Sequence, residues 1–260
     1  MNQPTIYWDS DPATAASRPM TDAESQARIE LAAAYRIFAH LGWTELIFNH
    51  ITVRVPGPDR LFLINPFGLH YGEVCASNLV TIDVDGNPVR ATSWPVNRAG
   101  FVIHSAIHSS MDEAHCVMHT HTTSGMAVAC LANGLSPTNF YSAQLHGNVA
   151  YHAFEGVTVE LDEKERLLAS IGSKRAVILR NHGLLAWGAT VPEAFMTLWT
   201  LQRACDIQIA SSSAGTLHPI PPEVFPRTNR MAAANEPRLC SDVFAAMQRI
   251  IEAKDPSYRQ

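Results

Sequence analysis

The sequence predicts one α/β or α+β domain with helices on both faces of a central sheet. Three observations predict it. Segments with helical period and segments with strand period follow one another as helix, strands, helix, strands, helix. Apolar residues make up 47% of the 260, enough for a substantial core. The chain shows no internal repeat, and no apolar run approaches the ~18 residues needed to cross a bilayer.

The elements follow in order. Residues 1–20 carry Pro4, Pro12 and Pro19 with little periodicity and read as an arm. Thr21-Asp22-Ala23-Glu24 has the form of a capping box, in which the Thr oxygen and the Glu carboxylate satisfy free N–H groups. Ile29, Ala33, Ile37 and Leu41 then recur every four residues as one stripe of an amphipathic helix, and Gly42 ends it. Ile51-Thr52-Val53-Arg54-Val55 alternates and reads as a strand, as does Leu61-Phe62-Leu63-Ile64. Pro56-Gly57-Pro58 punctuates between them, and Asp85-Gly86-Asn87 reads as a hairpin turn. A helix is expected over 98–111, with His104 and His108 four residues apart on one face. A strand over 114–121 and a helix over 123–131 come next. Further strands are expected over 149–159 and 176–187. Pro192 opens a long helix over 192–212 in the N1 position. Residues 218–226 read as a Pro-rich linker and 242–253 as a short terminal helix. The organisation is therefore an arm (1–20), a domain (21–213) and a C-terminal extension (214–260).

Charge and cysteine usage narrow the partners. The formal net charge is -5 and there is no Lys/Arg run, which argues against nucleic acid and anionic membranes. Charged residues are only 17%, so a partner or copies of the chain are expected to cover part of its surface. The five cysteines are scattered without a Cys-x-x-Cys pair, as expected for reduced thiols in the cytoplasm. Met1-Asn2-Gln3-Pro4 lacks the basic and apolar regions of a signal peptide.

The chemistry centres on His119-Thr120-His121 and Asn181-His182-Gly183. The first pair follows the apolar run Cys116-Val117-Met118, which reads as a buried strand. Residues i and i+2 of a strand share a face, so His119 and His121 can aim two imidazoles at one point. His182 follows the apolar run Ala176-Val177-Ile178-Leu179 and also stands at a strand end. Three convergent imidazoles make a metal site with an open coordination position. Spacing alone equally allows unrelated strand-end histidines, and both readings stand at this point.

From Leu41 to about Ser213 the sequence resembles the class II aldolase/adducin family. The motifs that carry the resemblance are Leu41-Gly42-Trp43-Thr44, Asn49-His50-Ile51-Thr52-Val53-Arg54, Ile64-Asn65-Pro66-Phe67-Gly68, Ser77-Asn78-Leu79-Val80, His119-Thr120-His121 and Arg180-Asn181-His182-Gly183-Leu184. Val96-Asn97, Ala99-Gly100-Phe101 and His104-Ser105-Ala106-Ile107 bring it nearest to the adducin head. The resemblance implies a three-layer α/β/α fold around a mostly antiparallel sheet, and homotetramers. It implies that His119, His121 and His182 bind zinc; three neutral imidazoles also suit iron, manganese, cobalt or nickel. In such enzymes the ion acts as a Lewis acid and stabilises the enolate formed as a C–C bond of a small-molecule substrate breaks.

One departure from the family pattern matters. Family aldolases carry a metal-ligating, acid/base Glu four residues before the position of His104, and here that position is Gly100. Glu73 lies in the separate segment Tyr71-Gly72-Glu73-Val74 and reads as a surface or turn residue. The phosphate pocket of the family keeps its Asn as Asn49, while its Ser-Ser becomes Arg98-Ala99. Substrate contacts are expected from Asn49, Asn65, Gly68 and Arg98, the last able to pair with a carboxylate. Tyr141 stands near the place of the acid that family aldolases present from a neighbouring subunit. His108 is a candidate base near neutral pH, and His104 a packed group behind it. Two functions follow. One is a metal-dependent lyase, by retro-aldol cleavage or decarboxylation of a small hydroxy-carbonyl or carboxylate compound. The other is a non-catalytic, adducin-head-like oligomerisation or binding module with a vestigial metal site.

Overall fold

A computed structural model of the chain describes residues 7–8, 19–156, 163–234 and 236–260. The strands, in chain order, are β1 (Tyr7–Trp8), β2 (His50–Arg54), β3 (Phe62–Ile64), β4 (Val80–Ile82), β5 (Val96–Asn97), β6 (Cys116–Thr120), β7 (Val149–His152), β8 (Ala176–Leu179) and β9 (Gly183–Gly188). Seven of them form one sheet in the order β4-β3-β2-β6-β9-β8-β7, and β1 pairs with β5 outside it. Every neighbouring pair in the sheet is antiparallel except β7–β8. The helices are α1 (Asp22–Leu41), α2 (Arg98–Ser110), α3 (Thr123–Cys130), α4 (Phe140–Gln144), α5 (Glu163–Ile171), α6 (Val191–Ser212), α7 (Val224–Ala234) and α8 (Glu236–Lys254).

Strand alternation builds the layers. Ile51 and Val53 of β2, Cys116 and Met118 of β6, and Leu184 and Ala186 of β9 join one core with α1, α3, α6 and α8. Val117, Val177, Leu185 and Trp187 face the other way, against Ile103 and Ile107 of α2 and Leu167 and Ile171 of α5. This is the three-layer α/β/α arrangement with a mostly antiparallel sheet that the resemblance implies.

Four local expectations meet their test here. Thr21 accepts from the Glu24 N–H, but the Glu24 carboxylate does not return to the N-cap. It is drawn inward to Arg28 (3.2 Å) and Arg90 (2.7 Å), so only half the capping box forms. Gly42 ends α1 at φ 76° as expected. The strand expected over 176–187 is two strands, β8 and β9, folded back as a hairpin in which Leu179 pairs with Gly183. The strand expected over 149–159 stops at His152, and residues 157–159 lie outside those described.

The C-terminal extension is longer and more helical than the short helix expected over 242–253. Residues 224–226, expected in the linker, open α7, and α8 begins at Glu236. Phe244 of α8 packs edge-on against Phe195 of α6, with ring centroids 5.8 Å apart. The chain end then lies along the 76–77 segment, where Ala76 N–H donates to Tyr258 O and Ser77 N–H to Gln260 O. Of the expected N-terminal arm, Tyr7–Trp8, Pro19 and Met20 fall within the described residues.

Candidate metal centre

His119 lies on the α2-facing side of β6 and is fully buried. His121 follows just past the strand end. Its backbone N–H donates to Asn49 Oδ1 at 2.9 Å, and Asn49 Nδ2 donates to Trp43 O at 2.9 Å. Asn49 thus ties the segment before β2 to the segment after β6. His182 sits in the three-residue loop between β8 and β9. Asn181 adopts the left-handed φ of 56° there, a conformation that asparagine accepts more readily than most residues. Gly183 is required by contact, because a Cβ at that position would lie 2.3 Å from Thr120 O. The motif Asn181-His182-Gly183 is therefore a turn, an imidazole of the cluster and a close approach of β9 to β6.

The three rings converge. Their centroids are 4.5 Å (His119–His121), 4.7 Å (His119–His182) and 4.9 Å (His121–His182) apart. One nitrogen from each lies within 4.8 Å of the others. His119 Nδ1 donates to Leu184 O at 2.8 Å, which leaves Nε2 as a lone pair. That lone pair faces His121 Nε2 at 2.7 Å. The contact is satisfied by an Nε2–H of His121 donated to that lone pair, or by a cation that both nitrogens face. Burial pushes His119, His121 and His182 below the usual histidine range, His182 to about 4, and their mutual repulsion adds to the shifts of His119 and His182. Neutral, converging nitrogens with one tautomer held from behind fit a divalent metal ion.

Behind the triad lies a buried polar layer between the sheet and α2. His50 pairs directly with His119 across β2 and β6, and the two rings are 5.0 Å apart. His50 Nδ1 contacts His104 Nε2 at 2.9 Å. His104 Nδ1 contacts Thr52 Oγ1 at 2.7 Å, and the same oxygen contacts His108 Nε2 at 2.7 Å. His108 Nδ1 ends the series on Ala114 O at 2.9 Å. Burial is the leading cause that holds His50, His104 and His108 below the usual range, His108 at about 3.

Gly100 explains where the ring of His50 fits. A Cβ at residue 100 would meet His50 Cδ2 at 2.6 Å, Cγ at 2.8 Å and Nε2 at 2.9 Å. The space beside Gly100 is therefore filled by an imidazole from β2. His50 is the residue that motif reading passes over. The signal was present: polar His50 and Thr52 alternate with apolar Ile51 and Val53, opposite a helix with His104 and His108 four apart.

The other expected site residues fall as follows. His108 has both ring nitrogens engaged and stacks on Phe62 at 4.6 Å, so it stands at the far end of the series from the triad. Asn65 is buried, and its Oδ1 accepts from Tyr35 at 2.9 Å. Gly68 turns at φ 107° with open space around it. Tyr141 is half-buried on α4, with its ring edge-on to Trp199 of α6 at 5.2 Å. Arg98 opens α2, and its side chain lies outside the described residues. Glu73 is exposed and accepts from the His70 N–H at 2.8 Å, as a turn residue.

Comparison with known proteins bears on the fold and the family. Residues 29–209 match the family model described as Class II Aldolase and Adducin N-terminal domain. A solved aldolase II superfamily protein from Pseudomonas syringae is 44% identical, with a TM-score of 0.88 over 93% of this chain and 98% of that one. L-fuculose 1-phosphate aldolase from Glaciozyma antarctica PI12 is 29% identical, with a TM-score of 0.81 over 94% and 97%. Alpha-adducin of Rattus norvegicus is 44% identical over 196 residues, 74% of this chain but only 26% of adducin's length. The fold, the matched span and the identity to these relatives place this chain in the class II aldolase and adducin family.

Proposed function

We propose that the chain is a metal-dependent lyase that breaks a C–C bond in a small hydroxy-carbonyl or carboxylate compound, by retro-aldol cleavage or decarboxylation. The observation that carries the reading is the His119–His121 contact, with His119 Nδ1 held by Leu184 O. A fold has little structural need for an open three-imidazole site in which one ligand is oriented from behind. Zinc is the proposed ion, with iron, manganese, cobalt and nickel also suited to the donor set. A bound ion supplies a Lewis acid for the carbonyl and the oxygen beside it. The chain's own residues position that site: Asn49 holds the His121 backbone, Asn181 and Gly183 shape the His182 turn, and Arg98 is proposed to anchor a carboxylate.

The protein is proposed to work in the cytoplasm as a homotetramer, on a small molecule and without nucleic-acid or membrane partners. None of the described helices is long and apolar enough to cross a membrane. Exposed Leu46, Phe48, Phe140 and Phe154 are the surface that subunit contacts would cover. Light scattering tests this proposal, and a monomeric mass refutes it.

A second reading, a non-catalytic module like the adducin head, is favoured by one observation: Gly100 supplies no carboxylate beside the triad. Metal analysis separates the two. Purified protein is expected to hold about one divalent ion per chain, and His119→Ala with His121→Ala to abolish binding. Metal-free protein whose stability is unchanged by that double substitution refutes the lyase reading.

A further inference from the structure

We infer that the chain holds a second ligand site, in the cleft between α1, β4 and the 90–94 segment, where Arg90 binds an oxyanion: the phosphate or carboxylate group of a small molecule. The cleft has a volume of about 340 Å³. β4 is the edge strand of the sheet and stands three strand spacings from β6, roughly 14 Å. None of the residues expected to meet a substrate at the histidine cluster lines the cleft. The inference therefore does not depend on the lyase reading.

Charge points to an anion. Arg28 and Arg90 both line the cleft, and no carboxylate does. The carboxylate they share is that of Glu24, which is fully buried. Glu24 Oε1 accepts from Arg28 Nε at 3.2 Å and from the Thr81 hydroxyl at 3.3 Å. Glu24 Oε2 accepts from Arg90 Nη2 at 2.7 Å. One negative charge thus answers two positive ones. Arg28 turns the rest of its fork inward, to Ala76 O, Leu79 O and Thr81 Oγ1. Burial lowers the Arg28 pKa; Glu24 opposes that shift, and the Arg90 charge adds to it. Glu24 and Arg28 therefore make a closed buried pair. The surplus charge is that of Arg90, whose side chain is 20% exposed.

Spare donors point the same way. Arg90 uses only Nη2, on Glu24 and on Pro19 O at 3.4 Å. Its Nε–H is buried without a partner, which is costly for a donor on a charged group. Its Nη1 has no bond among the described residues. The Ser93 hydroxyl and the Trp94 indole N–H line the same cleft and donate to nothing among the described residues. Asn78 is closed by contrast, since its side chain spans the Cys75 N–H and Glu73 O. A wall with a surplus cation, spare N–H and O–H groups and no acidic group selects an anion. A planar guanidinium already fixed by Glu24 presents its remaining N–H groups in set directions, which suits phosphate or carboxylate oxygens. Arg90 is the contact and Glu24 the positioning residue.

The 90–94 segment leads through β5 into α2, and Phe67 N–H donates to Pro95 O at 3.0 Å beside it. An anion on Arg90 would join this segment more firmly to α1, so binding should raise thermal stability as well.

The test uses the full chain labelled with nitrogen-15 arginine. It is titrated with inorganic phosphate and separately with acetate, against chloride at matched ionic strength. The Arg90 Nε–H signal is assigned by its absence in Arg90→Gln and Arg90→Lys. It should move saturably with phosphate or acetate and not with chloride, and the melting temperature should rise with the same anion. Tighter phosphate assigns a phosphate-bearing ligand, and tighter acetate a carboxylate. Arg90→Gln should weaken binding about tenfold or more. Arg90→Lys keeps a charge for Glu24 but has no fork; it should also bind more weakly, and it replaces Arg90→Gln if that variant does not fold. The variant with both His119→Ala and His121→Ala should keep the response. No saturable movement, an equal response to chloride, or a melting gain retained in both Arg90 variants overturns the inference. A response lost with the two histidines assigns the anion to the metal centre and also overturns it. Protein without metal or turnover whose Arg90 signal still responds refutes the lyase reading and leaves this one standing.

Discussion

Gly100 and His50 form a steric pair. An added Cβ would stand 2.8 Å from Cγ of a ring already tied to His104, so the ring cannot yield by rotating its tip. Gly100→Ala should therefore cost about 1–3 kcal/mol through overpacking. The same substitution in a His50→Ala background should cost much less, with a coupling of about 0.5–3 kcal/mol. Urea unfolding of the four proteins measures the cycle, and additive losses would show that ring and glycine do not compete for space. A glutamate at 100, as family aldolases carry, meets the same obstacle. The space that a side chain at residue 100 would need is taken by an imidazole from a different element.

At the level of elements, the hairpin of β8 and β9 brings the third imidazole to the site. It depends on Gly183, where a Cβ would press on the backbone oxygen of Thr120 at 2.3 Å. A backbone atom inside a paired strand cannot move aside as a side-chain tip can. Gly183→Ala should cost about 1–3 kcal/mol or more and, on the proposed function, should weaken metal binding by displacing the loop of His182. Denaturation together with zinc titration checks this. Stability lost with affinity kept would separate the hairpin from the site. The α2 helix is the other decisive element. Its apolar residues seal the sheet, while His104 and His108 on one face meet Thr52 and bury a polar layer whose members satisfy one another.

Over the whole molecule, that layer makes stability depend on pH. His108 holds its proton only below about pH 3 in the folded chain, against an ordinary value near 6.5. The unfolded chain therefore binds more protons between those values, and stability rises with pH across that window. Its contribution is complete above about pH 6.5 and is lost progressively as pH falls toward 3. Between pH 7 and pH 5 the loss assigned to this one fully buried ring is about 2 kcal/mol. His50 and His104 are shifted in the same direction and deepen the loss. Urea midpoints at the two pH values, measured with chelator present, should fall steeply for wild type. They should fall by about 2 kcal/mol less for His108→Asn. Parallel profiles would show that His108 is not held neutral.

Much of this protein is determined by its sequence alone. Strand alternation and helical stripes set the layers, because burial of one face per element leaves few ways to stack them. The spacing His119-Thr120-His121 puts two imidazoles on one face, because a strand has a period of two. The apolar run before His182 put a third imidazole at a strand end, and family motifs supplied the architecture. The hairpin within 176–187 reads as one strand although Arg180-Asn181-His182-Gly183 interrupts its apolar run, because a turn this short rests on one left-handed asparagine. The C-terminal helices were legible only in part: the helix expected over 242–253 lies within α8, while α7 and the first turns of α8 fell where a linker and no helix were expected. Most of all, the occupant of the space beside Gly100 was decided by tertiary structure. Residues 50 and 100 lie on different elements, and only strand pairing with β6 and the packing of α2 over β2 bring ring and glycine together.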